Sequence, residues 1–221
     1  VAADCGTLLG TLHAETWHDP EVARQFDDRN FFDALRLDPY YRFAADKDPE
    51  FRDDLLKLVE TVWLQRHALV HGDFSPKNLL TFADGCMLID FEVGHYGDPA
   101  FDLGFFLTHL VLKAIHHHHN ANAYLSLADH FWDRYTAVVQ PRCDAVTQVA
   151  STWNHLQSRG LQNLAGCLIA RIAGKSKIDY PVDSQAVRTI VRSLFRERPT
   201  DWQAARPMIV DAVNSAKSRL S

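Results

Sequence analysis

The sequence has no apolar run near the ~20 residues a membrane-spanning helix needs. Its first ten residues, Val1–Gly10, carry no basic segment of the kind that opens a secretion signal. Cysteine is sparse and scattered: Cys5, Cys86, Cys143 and Cys167 make no CxxC pair. That spacing excludes a disulfide framework or zinc finger, and reads as reduced, mostly buried thiols of a cytoplasmic protein. Basic residues are not in excess, with 23 Lys and Arg against 28 Asp and Glu and a net charge of −5. A nucleic-acid binder held by phosphate contacts is therefore not expected, and the mild acidity suits a cationic or neutral small substrate. Gly6 and Gly10 are followed by neither GxxxxGK[ST] nor GxGxxG, so they open no phosphate loop. There is no internal repeat, low-complexity linker or second domain. With 47% hydrophobic and 23% charged residues, the composition is that of one ordinary globular unit.

What is present is concentrated in Leu69–Val93, LVHGDFSPKNLLTFADGCMLIDFEV. Two short apolar runs, Leu79–Phe82 and Cys86–Ile89, flank Asp84-Gly85, a strong signal for a tight turn between antiparallel strands. His71-Gly72-Asp73 precedes this hairpin, Asn78 stands at its entry and Asp90 at its exit. A loop carboxylate can take a proton from a hydroxyl, while an Asn and an Asp can share Mg²⁺. Those are the groups that phosphoryl transfer requires.

His71-Gly72-Asp73-x4-Asn78, followed by Ile89-Asp90-Phe91-Glu92, resembles the core signature of the aminoglycoside phosphotransferase/choline kinase superfamily of small-molecule kinases. Gly97-Asp98-Pro99-Ala100-Phe101-Asp102-Leu103-Gly104 matches it too, and Ala170–Ser176 is similar to a segment of some bacterial members. The resemblance implies a mainly α, kinase-like C-terminal lobe with one small β-hairpin carrying the catalytic and metal residues. It implies a single unit over residues 1–221, with the strand-rich N-terminal nucleotide-binding lobe as a partner outside this chain. ATP is then the co-substrate, Mg²⁺ the cofactor, and a hydroxyl of a small polar molecule the acceptor. Aminoglycosides, sugars, choline-like amino alcohols and amino acids all fit. By the same resemblance Asp73 is the catalytic base, Asn78 and Asp90 the metal ligands, and Lys77 and Ser75 nucleotide contacts. Glu92 is either a further group near the metal or a solvated surface residue. His71, Gly72 and Asp102 support the loop: His71 packs beneath it, Gly72 supplies a turn, and Asp102 holds backbone amides.

Two other readings compete. A metal-dependent hydrolase would use His71, Asp73 and the His116–His119 run, but no three ligands stand at zinc-like spacing. An inactive kinase-like binding module is the other. Consecutive histidines point in different directions on a helix, so His116–His119 reads as a polar helix end rather than a metal site. Arg171, Lys175 and Lys177 read as a solvated helix end, with an anionic substrate group as the alternative.

Apolar periodicity predicts a helix from Val1 to about Thr16, ended by His18-Asp19-Pro20. Glu21–Lys47 suggests only short helices and loops. A helix capped by Asp48, with Pro49 at its first position, is expected to run to about Arg66. The apolar Phe101–Ile115 predicts a central buried helix. Further helices are expected over Ala121–Val139, Asp144–Ser158, Leu161–Ala173, Ser184–Arg196 and Asp201–Leu220.

Overall fold

The computed structural model describes residues 1–83, 85–147 and 151–220. Its centre is α6 (Ala100–His116), whose buried residues include Phe101, Leu103, Phe105, Phe106, Leu107 and Leu110 through Leu112. A helix apolar on most faces must be covered on most faces. Two long helices, α7 (Ala121–Thr147) and α8 (Ser151–Ala173), supply that cover, with α1 (Ala2–Glu15) lying along α7. Gly104 lets α6 and α8 approach closely: a Cβ there would stand 2.4 Å from the backbone nitrogen of Leu164. On the far side of α8 lies α9 (Ser184–Glu197), which buries Ala186, Val187, Ile190, Val191, Leu194 and Phe195. That i, i+1, i+4, i+5 pattern is a single apolar stripe. Asp183 caps the helix by accepting from the Gln185 and Ala186 amides at 2.8 and 3.1 Å. Finally, α10 (Trp202–Leu220) packs on α9. Among the described residues no helix is long and apolar enough to cross a membrane.

Two two-stranded antiparallel sheets accompany the helices. The expected hairpin is present: β2 (Leu79–Phe82) pairs with β3 (Gly85–Leu88), Leu79 opposite Leu88 and Phe82 opposite Gly85. Asp84, half of the predicted turn, lies outside the described residues. The second pair was not expected. Here β1 (Ala68–Val70) meets β4 (His95–Gly97), with Val70 opposite His95. It ties the chain just before the HGD segment to the chain just after Asp90–Val93.

Three local readings differ from the structure. Asp48 does not cap the following helix, which begins later as α5 (Arg52–Leu64) behind Phe51. Its buried carboxylate instead binds Arg188, which also reaches Glu50 at 3.0 Å, so a tertiary ion pair has displaced the local cap. The helices expected at Asp144–Ser158 and Leu161–Ala173 are not separate. Instead, α7 continues through Pro141 to Thr147, and α8 runs unbroken from Ser151 across Gly160. Residues 148–150 of the first expectation lie outside the described residues. Glu21–Lys47 is also more ordered than expected. After α2 (Pro20–Gln25) the chain is helical from Asn30 to Lys47, but Asp33–Arg42 forms wider i→i+5 turns around Pro39. Proline lacks the N–H that an α-helical ladder would use, and wide turns of this kind recur at functional sites.

Candidate active site

The β1–β4 pairing brings the chain just before His71 and the chain just after Gly94 together. At His71, Asp102 on α6 clamps the backbone. Its two carboxylate oxygens accept from the amides of His71 (2.7 Å) and Gly72 (2.8 Å). His13 on α1 holds the same carboxylate, with Nε2 3.2 Å from Oδ2, and its Nδ1 lies 2.8 Å from the Tyr135 hydroxyl on α7. Burial alone would raise the Asp102 pKa. The hydrogen bond from His13, together with His71, outweighs it and holds the carboxyl below its ordinary value. Three helices thus fix one turn of backbone through one carboxylate. Gly72 has φ +76°, and a Cβ on it would stand 2.9 Å from Val93, so glycine is required there on both counts.

His71 is buried, and both of its ring nitrogens are engaged. Its Nδ1 accepts from the Asp73 amide at 3.1 Å, which leaves Nε2 to donate to the Ile89 carbonyl at 3.1 Å. With both ring nitrogens engaged, it has no lone pair for a metal. It ties the first arm of the site to the second.

Asp73 is 4% exposed, and three donors converge on its Oδ2. Asn78 Nδ2 lies at 2.9 Å, Lys77 Nζ at 2.9 Å and an Arg36 amino nitrogen at 3.1 Å. Arg36 also donates from Nε to the Gly72 carbonyl at 2.7 Å, so one guanidinium braces both the backbone and the carboxylate. Lys77 is the exposed partner, with its side chain 65% accessible. Ser75 is wholly buried, and its Oγ has no hydrogen-bond partner among the described residues.

The second arm is open. The Ile89 amide donates to the Asn78 carbonyl at 3.0 Å, which extends the β2–β3 ladder and brings Asp90 alongside Asn78. Asp90 is exposed, with φ +69°, a strained value that Asp tolerates better than most residues. Glu92 is exposed as well. Since Asn78 commits its Nδ2 to Asp73, its Oδ1 remains as the donor oxygen. An amide oxygen and an exposed carboxylate are hard, oxygen-only ligands, few in number, and fit Mg²⁺. Among the described residues no three His, Cys, Asp or Glu side chains stand close enough to hold an ion. His116 ends α6, its ring nitrogen within 2.7 Å of the Pro181 carbonyl, and His117 stacks on Tyr124.

Asp73 and Lys77 open into a cleft of about 520 Å³, also lined by Arg36, Tyr40, His109, Arg171, Lys175 and Ser176. Arg36 and Tyr40 come from the wide-turned segment, and sequence reasoning missed them. Pro39 within an otherwise helical stretch was the available signal. Arg171 and Lys175 are brought to the cleft, whereas Lys177 is an exposed residue beyond its lining.

Residues 1–135, more than half of the sequence, match the model of the Phosphotransferase enzyme family. The chain belongs to this family. It is also similar to the methylthioribose kinase of Geobacillus kaustophilus, 27% identical over 151 residues, which cover 63% of this chain and 38% of the relative. The methylthioribose kinase of Enterobacter sp. is 24% identical over 150 residues, 64% of this chain and 35% of the relative. The chain thus spans well under half the length of the curated relatives it matches. The family assignment covers α1, the Asp102 clamp, the HGD loop, the hairpin and the first half of α7; it does not reach Arg171 or Lys175.

Proposed function

We propose that this chain is the C-terminal, acceptor-binding lobe of an ATP- and Mg²⁺-dependent kinase that phosphorylates a hydroxyl of a small polar molecule. The observation that carries the reading is the link between the two arms. Asn78 Nδ2 holds the carboxylate of Asp73, and the Asn78 carbonyl holds the backbone next to Asp90. A base and a metal site share one residue, so the acceptor oxygen and the γ-phosphate are brought to one place.

Asp73 orients the acceptor hydroxyl and takes its proton late in transfer. Among the described residues its three partners all use Oδ2, which leaves Oδ1 for that hydroxyl. Lys77 reaches the same point and balances charge developing on the transferred phosphoryl group. Asn78 and Asp90 hold Mg²⁺, whose role is to neutralise the phosphate oxygens, with Glu92 nearby. Ser75, expected to touch the nucleotide, is wholly buried and is given no such contact here. The nucleotide is covered by an N-terminal lobe, which meets the apolar side chains that the hairpin exposes. Leu80, Phe82, Met87 and Phe91 there are 51, 55, 55 and 47% exposed. The family membership, and the names of the relatives as kinases of methylthioribose, support a small acceptor rather than a peptide. The protein acts in the cytoplasm on soluble substrates.

The test is phosphorus NMR on the full-length enzyme with Mg²⁺·ATP and a set of hydroxyl acceptors. ADP and a phosphomonoester are the expected products. Asp73→Asn should lower kcat by about 10²–10⁴-fold with little change in the KM for ATP. Wild-type turnover in that variant would refute the assignment of the base.

A further inference from the structure

The whole chain is acidic, but the cleft beside Asp73 is not. Four cations line it, Arg36, Lys77, Arg171 and Lys175, and Asp73 is the lining carboxylate. Arg36 and Lys77 are both spent on Asp73. Lys175 lies 3.6 Å from Asp38, and both are about half exposed. Arg171 differs from all three. Among the described residues it has no carboxylate partner.

Arg171 is nevertheless held in place. Its Nη1 donates to the Ser176 carbonyl at 3.0 Å and to the Ser176 hydroxyl at 2.9 Å. Its guanidinium carbon lies 5.2 Å from the centre of the Tyr40 ring and 5.8 Å from that of Phe105. The Tyr40 hydroxyl in turn bonds the Ser176 hydroxyl at 3.4 Å. Nε and Nη2 have no partner among the described residues. A partly buried guanidinium, set beside two aromatic rings and with Nε and Nη2 unused among the described residues, is arranged for a planar or tetrahedral oxyanion. Nearby His109 adds no charge at neutral pH: burial first, and Arg171 next, lower its pKa to about 4. Its Nε2 is buried without a partner among the described residues.

We propose that the phosphate acceptor is an anionic hydroxy compound, whose carboxylate or phosphate docks on the free edge of Arg171 while its hydroxyl faces Asp73. This rests on the phosphotransfer reading and narrows its substrate class. The hydroxyl oxygen bonds to the γ-phosphorus as the bond to ADP breaks, and the hydroxyl proton goes to Asp73. The docked anion is unchanged throughout. Lys175 adds long-range attraction at the rim, and a cleft of about 520 Å³ suits a small metabolite.

The experiment uses four probes that share a polyol frame and differ in charge: D-gluconate, D-glucitol 6-phosphate, neutral D-glucitol and cationic D-glucamine. In the full-length enzyme with Mg²⁺·ATP, gluconate or glucitol 6-phosphate should exceed both others at least about tenfold in kcat/KM. Whichever of the two anions leads identifies the oxyanion. Arg171→Gln should remove the preference by raising the acceptor KM, with the ATP KM unchanged. Arg171→Lys, which keeps charge but not the fork, should restore part of it. If glucitol or glucamine serves as well or better, the inference is overturned while phosphotransfer stands. If no probe is phosphorylated, calorimetry decides. Salt-sensitive binding of gluconate or glucitol 6-phosphate that Arg171→Gln abolishes supports the inference, and no such binding overturns it. The phosphotransfer reading is judged separately, by Asp73-dependent release of ADP from ATP.

Discussion

The two arms of the candidate site are built in opposite ways. The arm carrying Asp73 is fastened from within: Asp102, His13 and Tyr135 are buried, and they fix the HGD backbone from three helices. The arm carrying Asp90 is tied to the first through Ile89, whose amide donates to the Asn78 carbonyl and whose carbonyl accepts from His71. Its own carboxylate is in solvent, and the hairpin beside it shows apolar side chains to water. The difference agrees with what the proposed function asks of each arm. A base has to be placed before the substrate arrives, and a buried core can place it. In that reading metal and nucleotide bring charge and apolar surface with them and complete the other arm when they bind.

The largest effect should come from cutting the clamp. Asp102→Ala leaves two buried amides and His13 without their acceptor, and should cost about 3–5 kcal/mol of folding stability. Denaturant melts of wild type and variant measure it. A loss under about 1 kcal/mol would mean that the clamp is not what holds the loop. Asp90→Ala should leave stability almost untouched and lower turnover by roughly 10²–10³-fold, because an exposed carboxylate contributes charge rather than packing. Asn78→Ala should be milder and better rescued by high Mg²⁺, since the amide supplies geometry and the carboxylate most of the attraction. Identical Mg²⁺ dependence in both variants and wild type would remove the metal from this arm.

The buried side also predicts a pH dependence. His95 in β4 is buried, with Nδ1 3.0 Å from the Val93 carbonyl and its ring stacked on Phe32 at 3.9 Å. Burial lowers its pKa from 6.5 to about 4. The unfolded chain therefore binds a proton near pH 6.5 that the folded chain refuses until about pH 4. Its contribution is fully present above about pH 6.5, declines between those values and is flat below. The decline is worth up to about 3 kcal/mol. His67 and His109, also lowered to about 4 by burial, add in the same window. Stability measured from pH 7 to 4.5 should fall less steeply in His95→Gln than in wild type. Parallel curves would show that His95 does not carry the effect.

The family was legible in the sequence and the scaffold around the candidate site less so. HGD, Asn78 and Asp90 stand out because they fall at fixed spacing within one short stretch of the part that matches the family. The central helix was readable because Phe101–Ile115 is apolar on most faces. The β1–β4 pair was not: three-residue strands carry almost no alternation, and Val70 meets His95 across an intervening hairpin. Arg36 was missed for a different reason. It reaches Asp73 only because Asp33–Arg42 is wound in wide turns, which sequence periodicity does not encode. The Asp48 cap was misread because Arg188, far along the chain, competes for the same carboxylate. Local rules failed wherever a distant residue decided the outcome.

The smallest effect is the most discriminating for the open arm. Leu80 and Met87 are cross-strand partners, each more than half exposed on the hairpin. On an uncovered face, Leu80→Ser and Met87→Ser should each change stability by no more than about 0.5 kcal/mol. Denaturant midpoints of the 221-residue chain measure that baseline. In the full-length enzyme the same face is proposed to meet the nucleotide-binding lobe. Burying an apolar side chain fully is worth about 1.5–3 kcal/mol, so the pair should cost more there and should raise the KM for ATP. An equal, small effect in both proteins, with the ATP KM unmoved, would place the covering lobe elsewhere. The contrast between a finished arm and an arm awaiting its partner would then fail at the hairpin.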